Sequence, residues 1–317
     1  MLRLTGTRIA RLGLSHAGTG GVSFPSTSDA FVAVSPPSTI YGSRGSVEGL
    51  QWRYFASLRH IPRENALPYM KLIKDAKSWK DGIAILDDIE RSGFIPNAFH
   101  YSAVISKCAK KGEWQEALKL KKKMVRQGAW PDEYVYSAAI DACARGGNSD
   151  EAIKLLREME ERGIEPNVIS FNAAISACEK GGGKFTDTAL GLLAELKGRG
   201  MEPSVKTYSA AISACEKGGD KYTDTALGLL AELKARVIEP NVITYSAAIS
   251  ACEKGGGKYT DTALGLLDEL KESGIEPGVT TYSAAISACE KGGGEYTDTA
   301  LGLLAEMKKR GVGVKRE

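Results

Sequence analysis

The chain has 317 residues, is 43% hydrophobic and 26% charged, and carries a formal net charge of +3. That balance suits a folded protein with a sizeable core and excludes a chain held to nucleic acid by bulk positive charge alone. No apolar run reaches the roughly 18 residues that a membrane-spanning helix needs, so no membrane insertion is expected.

In chain order, residues 1–46 stand apart by composition. Arg3, Arg8, Arg11 and Arg44 sit among many Ser, Thr and Gly residues, and no acidic side chain precedes Asp29. An Arg-bearing, acid-poor start reads as a disordered leader similar to an organelle transit peptide, which points to a mitochondrion or plastid. Residues 47–97 read as an N-terminal helical cap and a divergent repeat. Leu50, Tyr54, Leu58 and Ile61 supply the cap's apolar stripe. Arg63 to Lys77 is a degenerate first helix, and Ser78 to Asn97 a second helix with its terminator.

From Ala98 the sequence repeats itself in segments 98–132, 133–167, 168–204, 205–241, 242–278 and 279–315, leaving a charged tail at 316–317. The last four are near copies. In the third, Phe171, Ala174, Ile175 and Cys178 fall at i, i+3, i+4 and i+7, one stripe of an amphipathic helix. Gly181 to Gly183 stop that helix. Thr186, Asp187 and Thr188 offer N-cap oxygens for a second helix carrying Ala189, Leu192, Leu193 and Leu196, which Gly200 and Pro203 end.

A lone hairpin this short cannot bury both stripes, so each unit must lean on its neighbours. The expected fold is an all-α solenoid of tandem helix-turn-helix repeats, six clear and one divergent. The last four repeats gain two residues between their helices, which predicts a longer turn projecting along one edge. Cys108, Cys143, Cys178, Cys215, Cys252 and Cys289 recur at intervals of 35, 35, 37, 37 and 37 residues. That regularity marks one buried core position copied six times, with free thiols packing as small hydrophobes.

Catalytic chemistry has no sequence signature. The three histidines, His16, His60 and His100, stand at no metal-ligand spacing from a cysteine pair, and there is no Cys-x-x-Cys, P-loop or G-x-S-x-G elbow. The acidic groups Asp87, Asp88 and Glu90, and Asp268, Glu269 and Glu272, read as solvated helix faces. No enzyme, metal or cofactor is expected.

The run PNVITYSAAISACEKGG followed by ALGLLDELKESGIEP resembles the pentatricopeptide repeat family. The tetratricopeptide repeat is excluded by its missing Trp, Gly and Tyr signature and its shorter period. The resemblance implies a right-handed superhelix whose first helices line a groove for single-stranded RNA, one base per repeat. It also implies that the base is read by the residue after the opening aromatic together with the residue after the closing Pro.

Carried over position by position, Ser102 pairs with Asp132 for guanine. Ser137 pairs with Asn167, and Ser209 with Asn241, both for adenine. Asn172 with Ser204 suits a pyrimidine, leaning to cytosine. Ser246 meets Gly278 and Ser283 meets Lys315, neither a usual pair. The implied core preference is 5′-G-A-(C/U)-A-3′.

A column of cations, Lys110, Arg145, Lys180, Lys217, Lys254 and Lys291, closes the first helices and is nominated for phosphate contacts or for complementing the helix dipole. Glu179, Glu216, Glu253 and Glu290 directly precede the last four of these lysines. The first repeat nets +5, the third and fourth zero and the fifth −3, so the N-terminal half is expected to supply most of the attraction for RNA.

These readings give a sequence-selective RNA-binding adaptor in organelle RNA metabolism (processing, stabilisation, editing or translation) with RNA-processing enzymes recruited in trans. The alternative is a protein-interaction scaffold of helical-repeat type that binds no RNA. The last repeat lacks a capping helix in this sequence, which predicts a partner or self-association at that end.

Overall fold

A computed structural model describes residues 63–311, with side chains from Pro68 onward. The leader, the capping stripe from Leu50 to Ile61, Lys315 and the tail lie outside the described residues.

The described chain forms fourteen α-helices and no β-strand. They run in order α1 (Arg63–Asp75), α2 (Trp79–Arg91), α3 (Ala98–Lys111), α4 (Trp114–Arg126), α5 (Glu133–Arg145), α6 (Ser149–Glu161) and α7 (Val168–Gly181). Then follow α8 (Thr186–Gly198), α9 (Val205–Gly218), α10 (Thr223–Ala235), α11 (Val242–Gly255), α12 (Thr260–Glu272), α13 (Val279–Gly292) and α14 (Thr297–Lys309). Odd-numbered helices are the first of each hairpin and even-numbered ones the second.

The first helices start where a short polar side chain replaces a missing backbone partner. Asn97, Asp132, Asn167, Ser204 and Asn241 each cap one, accepting an N–H from the first turn. Four of these caps are reciprocal boxes, closed by His100, Ser170, Thr207 and Thr244 at the third helical position.

The second helices of the last four repeats depart from the sequence reading. Thr186, Thr223, Thr260 and Thr297 are already the first helical residues, and the caps, Phe185, Tyr222, Tyr259 and Tyr296, make no side-chain cap bond. Three of the threonine hydroxyls reach instead into the next repeat. Thr186 donates to the Ala214 carbonyl at 2.8 Å, Thr223 to that of Ala251 at 3.0 Å and Thr260 to that of Ala288 at 2.9 Å. Ser149 does the same to Ala177 at 2.6 Å. A hydroxyl buried at a repeat junction stabilises more by meeting an otherwise dry carbonyl than by capping its own helix.

The two-residue insertion also behaves otherwise than expected. It folds into a short 3-10 turn, as at Gly183–Phe185, that lies against the next first helix instead of projecting. Phe185 and Tyr222 are buried, and the Tyr222 hydroxyl donates to Asp187 at 2.7 Å; Tyr259 repeats this with Asp224 and Tyr296 with Asp261. The insertion therefore clamps one hairpin to the previous one.

Each first helix packs against the first helix of the next repeat, while each second helix packs on its own first helix and the following one and reaches neighbouring second helices only through long charged side chains. Buried alanines such as Ala174, Ala177, Ala211 and Ala214 let the first helices approach closely. The first helices thus form one continuous layer, the inner layer, and the second helices the other.

Behind it run two buried columns, the aromatics Tyr101, Tyr136, Phe171, Tyr208, Tyr245 and Tyr282, and the six cysteines. All six are free thiols, and burial pushes Cys143 and Cys178 up to about 12, which leaves them protonated and unreactive at neutral pH. No helix of the described residues is long and apolar enough to cross a membrane.

On the second-helix side a clasp recurs. The Tyr208 hydroxyl donates to Glu232 at 2.8 Å, and Lys197 of the preceding repeat reaches the same carboxylate at 2.6 Å. Tyr136, Glu158 and Lys121 form the same triplet, as do Tyr245, Glu269 and Lys234, and Tyr282, Glu306 and Lys271.

Candidate nucleic-acid interface

The N-terminal turns of the first helices bring three columns to one edge of the inner layer. The first is the cap itself, Asp132, Asn167, Ser204, Asn241 and Gly278. The second is the second helical residue, Phe99, Tyr134, Ile169, Lys206, Ile243 and Thr280. The third is the residue after the aromatic, Ser102, Ser137, Asn172, Ser209, Ser246 and Ser283.

The sequence pairs each third-column residue with the cap of the following helix, and the structure joins two of these pairs through one hydroxyl. Thr207 Oγ1 donates to Asn172 Oδ1 at 2.6 Å, accepts the Ser204 N–H at 2.9 Å and lies 3.0 Å from Ser204 Oγ. Thr244 Oγ1 lies 2.7 Å from Ser209 Oγ and 3.0 Å from Asn241 Oδ1. In the next repeat Ser246 meets Thr281 at 2.7 Å, while Gly278 offers no side chain.

The first two pairs are not joined. Ser102 turns to the Phe99 carbonyl at 3.1 Å because Val135 occupies the bridging position. Ser137 is buried with no partner for its hydroxyl, since Ser170 directs its own proton to the Asn167 carbonyl at 2.8 Å. Ser283 is exposed.

The cation column divides. Lys110 and Lys180 are exposed and make no ion pair among the described residues, whereas Arg145 is held by Asp141 at 2.9 Å on its own helix. Lys254 pairs with Glu216 of the preceding repeat at 2.5 Å, and Lys217 with Glu179 and Lys291 with Glu253 in the same way. Lys217 and Lys291 also donate to the Glu179 and Glu253 backbone carbonyls at 3.0 and 2.9 Å. These three lysines tie the ends of successive first helices together. The glutamates that seemed to cancel them in sequence are their partners one repeat back.

Sequence reasoning missed the second column. Phe99, Tyr134, Ile169 and Ile243 are 57–63% exposed, a row of large apolar side chains left in solvent. The signal was present, because Ile169 lies two residues before Phe171 and so on the opposite side of the helix from the core stripe. An apolar residue recurring off the stripe has no core to enter.

The model of the pentatricopeptide repeat domain matches residues 119–180, 191–256, 232–292 and 265–313, and that of the single repeat matches 99–128. No curated protein sequence matches significantly.

Among solved structures, PPR10 in complex with an 18-nt psaJ RNA element is similar at 24% identity and a TM-score of 0.51, over 84% of this chain and 42% of that one. PPR10 from maize is similar at 25% identity and a TM-score of 0.52, over 85% of this chain and 39% of that one. Nuclear proteinaceous RNase P 2 from A. thaliana shares the fold at 18% identity and a TM-score of 0.51, over 64% of this chain and 46% of that one. The chain therefore spans less than half the length of each. Repeat matches that together cover well over half of the sequence, on a stack of hairpins of this geometry, make the chain a member of the pentatricopeptide repeat family.

Proposed function

We propose that the chain is a sequence-selective adaptor for single-stranded RNA, with one base received at each junction between successive first helices. The observation that carries this is the exposed apolar column lying beside the polar pairs. Phe99, Tyr134, Ile169 and Ile243 offer a flat or greasy surface on which an unstacked base can rest, while cap and third-column residues face its edge. Every base has such a face, so the apolar column supplies affinity and the polar column choice.

The preference assigned is 5′-G-A-(C/U)-A-3′ across the first four repeats. Lys110 and Lys180 are the cations most available to phosphates, since Lys217, Lys254 and Lys291 must first leave a glutamate. The Arg-bearing leader supports a place in organelle RNA metabolism, acting by shielding a transcript or by recruiting a processing enzyme.

The test is fluorescence anisotropy with short labelled strands carrying that tract or a scrambled one, repeated with the same sequence as duplex. Preference for the single-stranded tract, weakening as salt rises, supports the reading. Equal binding of both tracts removes the base assignment, and no binding of either favours a protein-interaction scaffold. A fluorescent fusion of residues 1–62 that stays in the cytosol would overturn the organelle assignment.

A further inference from the structure

In α9 and α11 the third residue of the helix both closes a capping box and meets the reading side chain of the repeat before it. We propose that its hydroxyl, on Thr207, Thr244 and Thr281, is a specificity-determining group for the repeat before it, because it fixes which hydrogen-bonding end of the reading side chain is left for a base. The inference rests on the RNA reading above and deepens it.

Repeat three shows the device most fully. Thr207 Oγ1 accepts the Ser204 N–H at 2.9 Å, and its own proton goes to Asn172 Oδ1 at 2.6 Å. The Asn172 amide has one accepting and one donating end, and Thr207 holds the accepting end against the next helix and takes one of its two lone pairs. The end left free is the NH2 group, so this repeat presents a donor. Both pyrimidines carry an O2 acceptor that such a donor can reach. Turning the amide over would set its NH2 against a hydroxyl oxygen that already accepts the Ser204 N–H.

In repeat four the same position acts on a different reader. The Ser209 hydroxyl donates to the Val205 carbonyl at 2.7 Å, which uses its only proton. The one Thr244 hydroxyl proton is shared between Ser209 Oγ at 2.7 Å and Asn241 Oδ1 at 3.0 Å, and the Ser209 oxygen, its own proton spent on Val205, has only a lone pair left to offer. An acceptor there suits the exocyclic amino group of adenine.

Repeats one and two lack the device. Val135 has no hydroxyl to offer Ser102, and Ser170 directs its proton to the Asn167 carbonyl, leaving Ser137 Oγ without a partner. One side-chain position thus separates readers whose hydrogen-bonding sense is set by the next repeat from readers whose sense is not.

The experiment compares strands containing G-A-C-A and G-A-G-A in an unstructured flank, bound by the intact chain and by three variants. Thr207→Val is expected to lower the preference for cytosine over guanine by about fivefold or more, the worth of one hydrogen bond. Thr207→Ser is expected to keep it. Valine stands at the matching place in α5, so the helix tolerates it, and circular dichroism and a melting curve check that the variant folds.

Asn172→Ala separates the two ideas. If it erases the preference while Thr207→Val leaves it intact, the hydroxyl has no such role and the reading stands. If it leaves the preference intact, or the wild type shows none, the reading fails and the inference falls with it. A second readout needs no RNA: the side-chain NH2 resonances of 15N-labelled Asn172 should move in Thr207→Val and hold in Thr207→Ser. Unchanged resonances in both would overturn the proposal.

Discussion

Replacing Val237 by glycine is expected to stabilise the protein. Val237, two residues past the end of α10, has φ +59°, in the left-handed region. At the matching place the other repeats have glycine, with Gly163 at +70°, Gly200 at +72° and Gly274 at +72°. The backbone conformation is imposed by the junction: the Val237 N–H bonds to the Lys234 carbonyl at 2.9 Å and the Ile238 N–H to that of Leu233 at 3.2 Å, the usual closure of a helix end. A β-branched side chain held there costs about 1–2 kcal/mol. Val237 is 90% exposed, so removing its side chain forfeits almost no burial. Against the gain stands the greater freedom of glycine in the unfolded chain, about 0.4–1 kcal/mol. The net is about 0–1.6 kcal/mol of stabilisation, centred on about 0.8 kcal/mol, a rise in melting temperature of about 2–3 °C for a chain this size. Thermal denaturation followed at 222 nm, beside the reciprocal Gly200→Val, gives the answer. A lower melting temperature for Val237→Gly, or an unaffected one for Gly200→Val, would refute the reasoning.

Three further outcomes follow from the repeat junctions. Gly218→Ala should destabilise by about 1–3 kcal/mol in urea denaturation, since a Cβ there would sit 2.3 Å from Tyr222 Cδ2 and 2.6 Å from Thr186 Oγ1. Thr223→Val should cost about 1 kcal/mol by the same measurement, because the hydroxyl bond to the Ala251 carbonyl is lost in a dry interface. The clasps make stability depend on acid. Burial alone would raise the Glu232 carboxyl, but the hydrogen bonds from Lys197 and Tyr208 outweigh it, and Lys271 chiefly holds Glu306 down, so both titrate below the ordinary carboxylate range. A carboxylate depressed in the folded state stabilises it above the unfolded value, and that contribution fades as pH falls through the folded one. Melting temperature should therefore hold steady from neutral pH to about 5 and fall below about 4.5, and Glu232→Gln should flatten part of that decline.

Much of this architecture was legible in the sequence because the stack copies one interface. The stripe Phe171, Ala174, Ile175 and Cys178 is buried, as are all six cysteines, since a position repeated at that spacing must meet its own copy. Misreadings arose where a side chain had two possible partners. Thr186 suits an N-cap by type, and only the position of the next repeat shows that the Ala214 carbonyl takes its proton. Lys217 suits a phosphate, but Glu179 lies one repeat behind it and holds it. The inserted GGGKF suggests a solvent loop until Phe185 is found buried. In each case the deciding contact spans about one repeat, a separation that periodicity along a single helix does not report.

The near copies allow one further step. From the third to the sixth repeat the run AAISACEKGG is invariant, and so is TDTALGLL. These runs contain the residues that touch the next or previous copy: the alanines, the cysteine, the Glu and Lys of the junction pair, and the threonine that crosses to a carbonyl. A change in any of them alters an interface that must fit its neighbour, so stacking holds them fixed. In the first helices the variation falls on the cap (Asn167, Ser204, Asn241, Gly278), the second residue (Ile169, Lys206, Ile243, Thr280), the third (Ser170, then threonine), the aromatic and the residue after it (Asn172, then serine). Apart from the aromatic, these are the exposed column, the polar pair and the hydroxyl that links the pair. Within the first helices the chain is free to differ where its side chains leave the stack and face the inner edge, and each repeat can carry a different reading set there on an unchanged support.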